Sequence, residues 1–175
     1  MTNTYVGLGS NLGDRAANLL MALRGLLDAG LQPTRLSRIY ETEPVETFAQ
    51  PPFLNMVIEL GTVLPPPEEL MERLLRIEQS LGRIRDLAKG PRAIDLDLLL
   101  YANTTCETKL LTLPHPRLQH RRFVLTPLAE LAPNLEHPIL QRTIIELLQE
   151  TTDTSEVKIW LPQDDRRERS AEADT

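Results

Sequence analysis

The chain has 175 residues, a net charge of −6, 41% hydrophobic and 25% charged residues, and one cysteine. That length suits one domain with a sizeable core, and the acidic balance argues against a protein that coats nucleic acid. The lone Cys106, read as a surface or loop thiol, excludes an intramolecular disulfide and fits a cytoplasmic compartment, while no apolar stretch reaches the ~20 residues of a membrane helix.

In chain order, Thr4 to Leu8 reads as a first strand and the glycine-bearing turn Gly9-Ser10-Asn11-Leu12-Gly13-Asp14 as the loop after it. Asp14 or Asn11 caps a helix from about Arg15 to Ala29, with Leu19, Leu20, Leu23, Leu26 and Leu27 as its apolar face and Gly30 as its stop. A strand over Thr34 to Tyr40 leads into a prolyl loop, Thr42 to Pro52. Phe53 to Val63 alternates as a strand, with Phe53, Asn55, Val57 and Glu59 on one face. Leu64-Pro65-Pro66-Pro67 breaks the chain before a helix from Glu68 to Leu81, whose stripe is Leu70, Leu74, Ile77 and Leu81 and whose stop is Gly82. A strand over 93–101, a loop opening at Leu113-Pro114-His115-Pro116, helices at Arg121 to Leu131 and Ile139 to Gln149, and a strand at Val157 to Leu161 complete the order. Residues 163–175 hold no bulky apolar side chain and read as a disordered charged tail, which leaves 1–162 as the one domain. Strand–helix–strand–strand–helix–strand is the split βαβ order. The fold expected is therefore α+β, a ferredoxin-like sandwich with a mostly antiparallel sheet and both long helices on one face.

The strand at Ile94 to Tyr101 is apolar except for Asp95 and Asp97. Alternation puts both carboxylates on one face, about 6.6 Å apart. Like charges so placed call for a cation, and magnesium, which prefers few carboxylates completed by water and phosphate, suits the role. An edge strand with one wet face also shows Asp-x-Asp, so the surroundings decide. Arg83, Arg85, Lys89 and Arg92 precede the pair, and His115, Arg117, Arg121 and Arg122 follow it. Cations clustered around metal-binding carboxylates in an acidic chain are the pattern expected around a polyphosphate. The dinucleotide fingerprint and the P-loop are both absent. Phe53, Asn55 and Phe123 have the chemistry to hold a flat heterocycle by two faces and an edge, although spacing alone reads the rings as core.

Several motifs in order resemble those of the 6-hydroxymethyl-7,8-dihydropterin pyrophosphokinases. They are Gly7-Leu8-Gly9-Ser10-Asn11-Leu12-Gly13, Thr42-Glu43-Pro44-Val45, Phe53-Leu54-Asn55, Gly82-Arg83-Ile84-Arg85, Gly90-Pro91-Arg92-Ala93-Ile94-Asp95-Leu96-Asp97, Pro114-His115-Pro116 and Arg121-Arg122-Phe123. The resemblance implies transfer of the β,γ-diphosphate of ATP to the hydroxymethyl group of a reduced pterin in folate biosynthesis, with release of AMP. It implies that Asp95 and Asp97 bind two magnesium ions, with Arg83 and Arg92 beside them in catalysis. It implies that Thr42, Val45, Phe53, Asn55 and Phe123 bind the pterin. Glu78, Arg85, Lys89, Leu98, Thr112, His115 and Arg121 would serve the nucleotide. ATP and the pterin are then the partners, and a monomer is expected. Ala88-Lys89 stands where the family commonly has Arg-Trp, a departure that predicts altered ATP affinity or loop closure. A binding module that has lost catalysis is the competing reading, and the retained phosphate-binding side chains argue against it.

Overall fold

A computed structural model describes residues 4–43, 50–61, 63–82 and 92–162. Its elements are β1 (Thr4–Ser10), α1 (Arg15–Asp28), β2 (Pro33–Leu36), β3 (Tyr40–Thr42), β4 (Phe53–Leu60), α2 (Pro67–Ser80), β5 (Asp95–Tyr101), β6 (Cys106–Glu107), β7 (Thr112–Leu113), α3 (Arg122–Leu131), α4 (Ile144–Glu150) and β8 (Val157–Ile159). The main sheet runs β5-β1-β4-β3-β8, with β2 also paired to β4. Every ladder in it is antiparallel. This is the ferredoxin-like arrangement expected, extended at one edge by β8.

The sheet separates two cores. On one face, Val6, Leu8, Leu54, Met56, Ile58, Leu96 and Leu98 pack against Leu19, Ala22 and Leu26 of α1 and Leu70, Leu74 and Ile77 of α2. Each fully buried leucine there contributes about 1.5–3 kcal/mol. On the other face, Tyr5, Val57, Leu99 and Leu100 pack against Val124, Leu125 and Leu128 of α3 and Ile144 and Leu147 of α4. A bulge in the β1–β5 ladder, where Val6 pairs Leu98 and Tyr5 pairs Leu100, turns both Leu99 and Leu100 to this second core. The second core fills only one end of its face, and the other end is open.

Local signals set the element ends. Asp14 caps α1, its Oδ1 accepting from the Ala17 N–H at 3.0 Å. Gly30 and Gly82, at φ +73° and +84°, follow α1 and α2 in the left-handed region that stops a helix. Several boundaries and faces differ from expectation. Leu20 and Leu27 are 65% and 54% exposed, because the sheet covers a stripe narrower than five leucines and Ala22 takes the central place. The expected strand at Thr34 to Tyr40 is two strands, parted where the Ser37 hydroxyl accepts from the Val57 N–H at 2.9 Å. The last helix begins at Ile144, not Ile139, because Thr143 and Glu146 form a capping box. Cys106 lies half-buried on β6 against the first core rather than in a loop. The tail 163–175 lies outside the described residues.

Candidate active site

The open end of the second face is floored by three strands in register. Gly9 of β1 lies between Asn55 of β4 and Asp95 of β5, and Gly7 lies between Val57 and Asp97. With strands ~4.8 Å apart, Asp95 stands about 10 Å from Asn55 along this row, with only Gly9 between them. That gap is a requirement of the geometry. A Cβ on Gly9 would meet Asn55 Oδ1 at 2.9 Å. The wall above comes from His115, Arg117, His120, Arg121 and Phe123, ahead of and within the first turn of α3. Together these residues line a cavity of about 480 Å³, with Thr42, Glu43, Gln50, Phe53 and Arg92 at its sides. That volume is within the range of small-molecule sites.

The Asp pair is half-buried and lies on the cavity face. Arg92 Nη1 is 2.7 Å from Asp95 Oδ2, while Arg121 Nη1 and His115 Nε2 are each 3.8 Å from Asp97 Oδ2. Arginine thus supplies part of the cationic neighbourhood that two like charges on one strand face demand. Between the aspartates, the Leu96 N–H points off the sheet edge and donates to Glu78 Oε1 at 2.7 Å. Glu78 reaches it from α2, is 1% exposed, and so fixes the strand that carries both carboxylates.

Burial first, and then Arg121 and Arg117, push the His115 pKa down to about 4 against an opposing pull from Asp95. The ring is therefore neutral at pH 7. Its Nδ1 accepts the Arg117 N–H at 3.2 Å, which leaves the proton on Nε2, facing Asp97. The 3.8 Å approach is then a dipole–charge contact rather than an ion pair. Arg121 is pushed down as well, chiefly by burial and by Arg117, with Asp97 and Asp95 opposing, and a guanidinium stays charged under such shifts. Its Cζ lies 5.4 Å from the Phe123 ring centroid, so the cation helps to orient that ring.

Across the floor, Asn55 Nδ2 donates to Thr42 Oγ1 at 2.7 Å, which fixes the amide. Asn11, 1% exposed, links the parts of the rim. Its backbone N–H donates to the Arg92 carbonyl at 3.1 Å, and its Oδ1 accepts the Arg92 N–H at 2.8 Å. Its Nδ2 donates to Gln50 Oε1 at 3.1 Å.

Of the residues expected at the site, the structure brings Thr42, Phe53, Asn55, Arg92, Asp95, Asp97, His115, Arg121 and Phe123 to one cavity. Glu78, Leu98 and Thr112 do not line it: Glu78 is buried behind β5, Leu98 packs in the first core and Thr112 sits on β7. Val45, Arg83, Arg85 and Lys89 lie outside the described residues, as does Ala88. Arg117, counted from sequence only as one of the cations around the Asp pair, lines the cavity, as do Glu43, Gln50 and His120, which had no individual role assigned. For Arg117 and His120 the signal was present in the basic segment after His115. For Gln50 there was none, because only the fold brings it near Asn11.

Residues 5–133 match the family model described as 7,8-dihydro-6-hydroxymethylpterin-pyrophosphokinase (HPPK). The chain belongs to the HPPK family. A 2-amino-4-hydroxy-6-hydroxymethyldihydropteridine pyrophosphokinase of Bacillus subtilis (strain 168) is 43% identical over 157 residues, covering 89% of each chain. One of Aquifex aeolicus (strain VF5) is 40% identical over 152 residues, covering 87% of this chain and 94% of that one. Among solved structures, an HPPK-DHPS in complex with substrates superposes with a TM-score of 0.67 at 14% identity, over 85% of this chain and 43% of that chain. An HPPK-DHPS of Plasmodium falciparum superposes with a TM-score of 0.66 at 17% identity. These superpositions carry the HPPK fold alone, and the chain spans under half the length of those two proteins. Among the described residues no helix is long and apolar enough to cross a membrane.

Proposed function

We propose that the cavity over Gly7 and Gly9 performs the family's reaction, with the nucleotide's polyphosphate at Asp95 and Asp97 and the pterin at Asn55. The chain transfers the β,γ-diphosphate of ATP to the hydroxymethyl group of 6-hydroxymethyl-7,8-dihydropterin, and AMP leaves. The observation that carries this reading is the row Asp95–Gly9–Asn55, which sets anion-handling and ring-holding groups about 10 Å apart across an open floor.

Phe53 and Phe123 stack on the two faces of the pterin, and Asn55, held by Thr42, reads its hydrogen-bonding edge. Neutral His115 donates Nε2–H to a phosphoryl oxygen, and Arg92 and Arg121 add charge-assisted bonds to the same group. Positioning and electrostatics of this kind supply most of the catalysis in phosphoryl transfer. The hydroxymethyl oxygen forms its bond to the β-phosphorus as the bond from that phosphorus to the α,β-bridging oxygen breaks. The hydroxyl proton is lost to solvent or to a phosphate oxygen. Glu78 acts at one remove, by fixing β5 through Leu96. Every residue assigned comes from a single chain, so a monomer suffices. The cytoplasm suits both the reduced pterin and a lone thiol.

The carboxylate pair fits magnesium delivered with the nucleotide. Among the described residues no third His, Cys, Asp or Glu completes a protein cage, and magnesium ordinarily takes one or two carboxylates plus phosphate and water. When bound, two such ions neutralise the polyphosphate and align it for displacement. Turnover followed against free magnesium, with ATP already fully complexed, tests the number of ions. Two ions predict a further rise in rate that Asp97→Asn removes. Saturation at one ion per ATP would leave the second without a role.

A further inference from the structure

Among the described arginines, most have an acidic partner. Arg15, Arg24, Arg35, Arg38, Arg73, Arg76 and Arg142 pair with glutamate or aspartate away from the cavity centre, and Arg92 and Arg121 face the Asp pair. Arg117 and Arg122 have no ion pair, and of these two only Arg117 lines the cavity. In a chain with 25 acids against 19 bases, a cation left unpaired at a cavity lip is uncommon on charge grounds. Its backbone is also well fixed. The Arg117 N–H donates to His115 Nδ1, and the Arg117 carbonyl accepts from the His120 N–H at 3.2 Å in the 3-10 turn Leu118–His120. Leu118, fully buried in the second core, anchors that turn. The guanidinium is thus carried on rigid backbone while its side chain stays exposed, beside Arg121 and His115, whose charged forms it disfavours. Three cationic or proton-donating groups turned to one space, with the outermost unpaired, make an anion receptor rather than a solvated surface.

We propose that Arg117 is a nucleotide-binding residue of this chain, recognising the β- and γ-phosphates of ATP from the cavity lip. The inference rests on the assignment of the polyphosphate to the Asp95–Asp97 side of the cavity. A polyphosphate that spans from Asp97 to the lip meets Arg117 next after Arg121 and His115. A monophosphate is too short to engage all three.

Calorimetric titration without pterin tests this on the intact chain, with magnesium-ATP and with AMP as the two probes. Arg117→Gln should weaken ATP about tenfold or more, the loss expected of one charge-assisted contact, and should change AMP by less than twofold. Arg117→Lys, which keeps the charge, should recover most of the ATP affinity. The dependence of ATP affinity on salt should be shallower in Arg117→Gln, because one screened charge is gone. Unchanged ATP affinity in Arg117→Gln, or an equal loss for ATP and AMP, would overturn the assignment. Failure of the wild-type chain to bind magnesium-ATP would instead overturn the placement of the polyphosphate on which it rests.

Discussion

A Cβ on Gly9 would press on Asn55 Oδ1, the atom proposed to read the pterin edge. Glycine is needed here for close approach and not for an unusual φ, so the prediction is selective. Gly9→Ala should raise the KM for the pterin about tenfold as Asn55 shifts, while binding of magnesium-ATP, measured separately, stays within a factor of two. Equal losses for both substrates would mean that the sheet itself had moved. Asp95 and Asp97 were legible because period 2 in a strand is unambiguous and the cations around them were dense in sequence. Gln50, Glu43 and the contact of Asn11 with Arg92 were not, because they join segments brought together only by the fold.

At the scale of elements, long periodic segments were readable and short or cap-defined ones were not. α2 and β4 lie within a few residues of expectation. α4 starts five residues later than its apolar pattern suggested, because the Thr143–Glu146 box decides the start. β6 and β7, two residues each, carry too little pattern to find. The turn before α4 also holds a titratable group. His137, 4% exposed, accepts the Ile139 and Leu140 N–H groups on Nδ1 at 3.3 and 3.2 Å. Only the neutral ring can accept there, and burial holds its pKa below the ordinary value. The unfolded chain therefore takes up this proton first as pH falls below about 6.5, and stability declines with it until the folded ring protonates too. The slope is at most about 1.4 kcal/mol per pH unit for one proton. Urea unfolding of the ligand-free protein at pH 7.5 and 5.5 should show a smaller loss in His137→Leu than in wild type, although the variant is less stable at pH 7.5. His115, shifted the same way, contributes equally to both proteins. Identical losses would show that His137 does not set the acid sensitivity.

The whole molecule divides its labour between the two faces of one sheet. The α1–α2 face is packed along the sheet, whereas the α3–α4 face is packed at one end and leaves its other end for ligands. Among the described residues, the C-terminal strand is tied to the body as far as the Trp160 N–H, which donates to the Ile39 carbonyl at 2.9 Å. Residues 163–175 hold no bulky apolar side chain to bury, so a chain ending at residue 162 should keep its thermal midpoint within about 2 °C and its turnover within twofold, as scanning calorimetry and a steady-state assay would report. A larger loss would give the last thirteen residues a structural or catalytic part. Diphosphate transfer in this cavity should depend on Asp97. The deciding measurement is the nucleotide formed when the chain is given magnesium, ATP and 6-hydroxymethyl-7,8-dihydropterin. AMP should appear in one-to-one yield with the pterin diphosphate, none should form without the pterin, and Asp97→Asn should lose at least a hundredfold in rate. ADP as product, AMP released without pterin, or an active Asp97→Asn would overturn diphosphate transfer at this site.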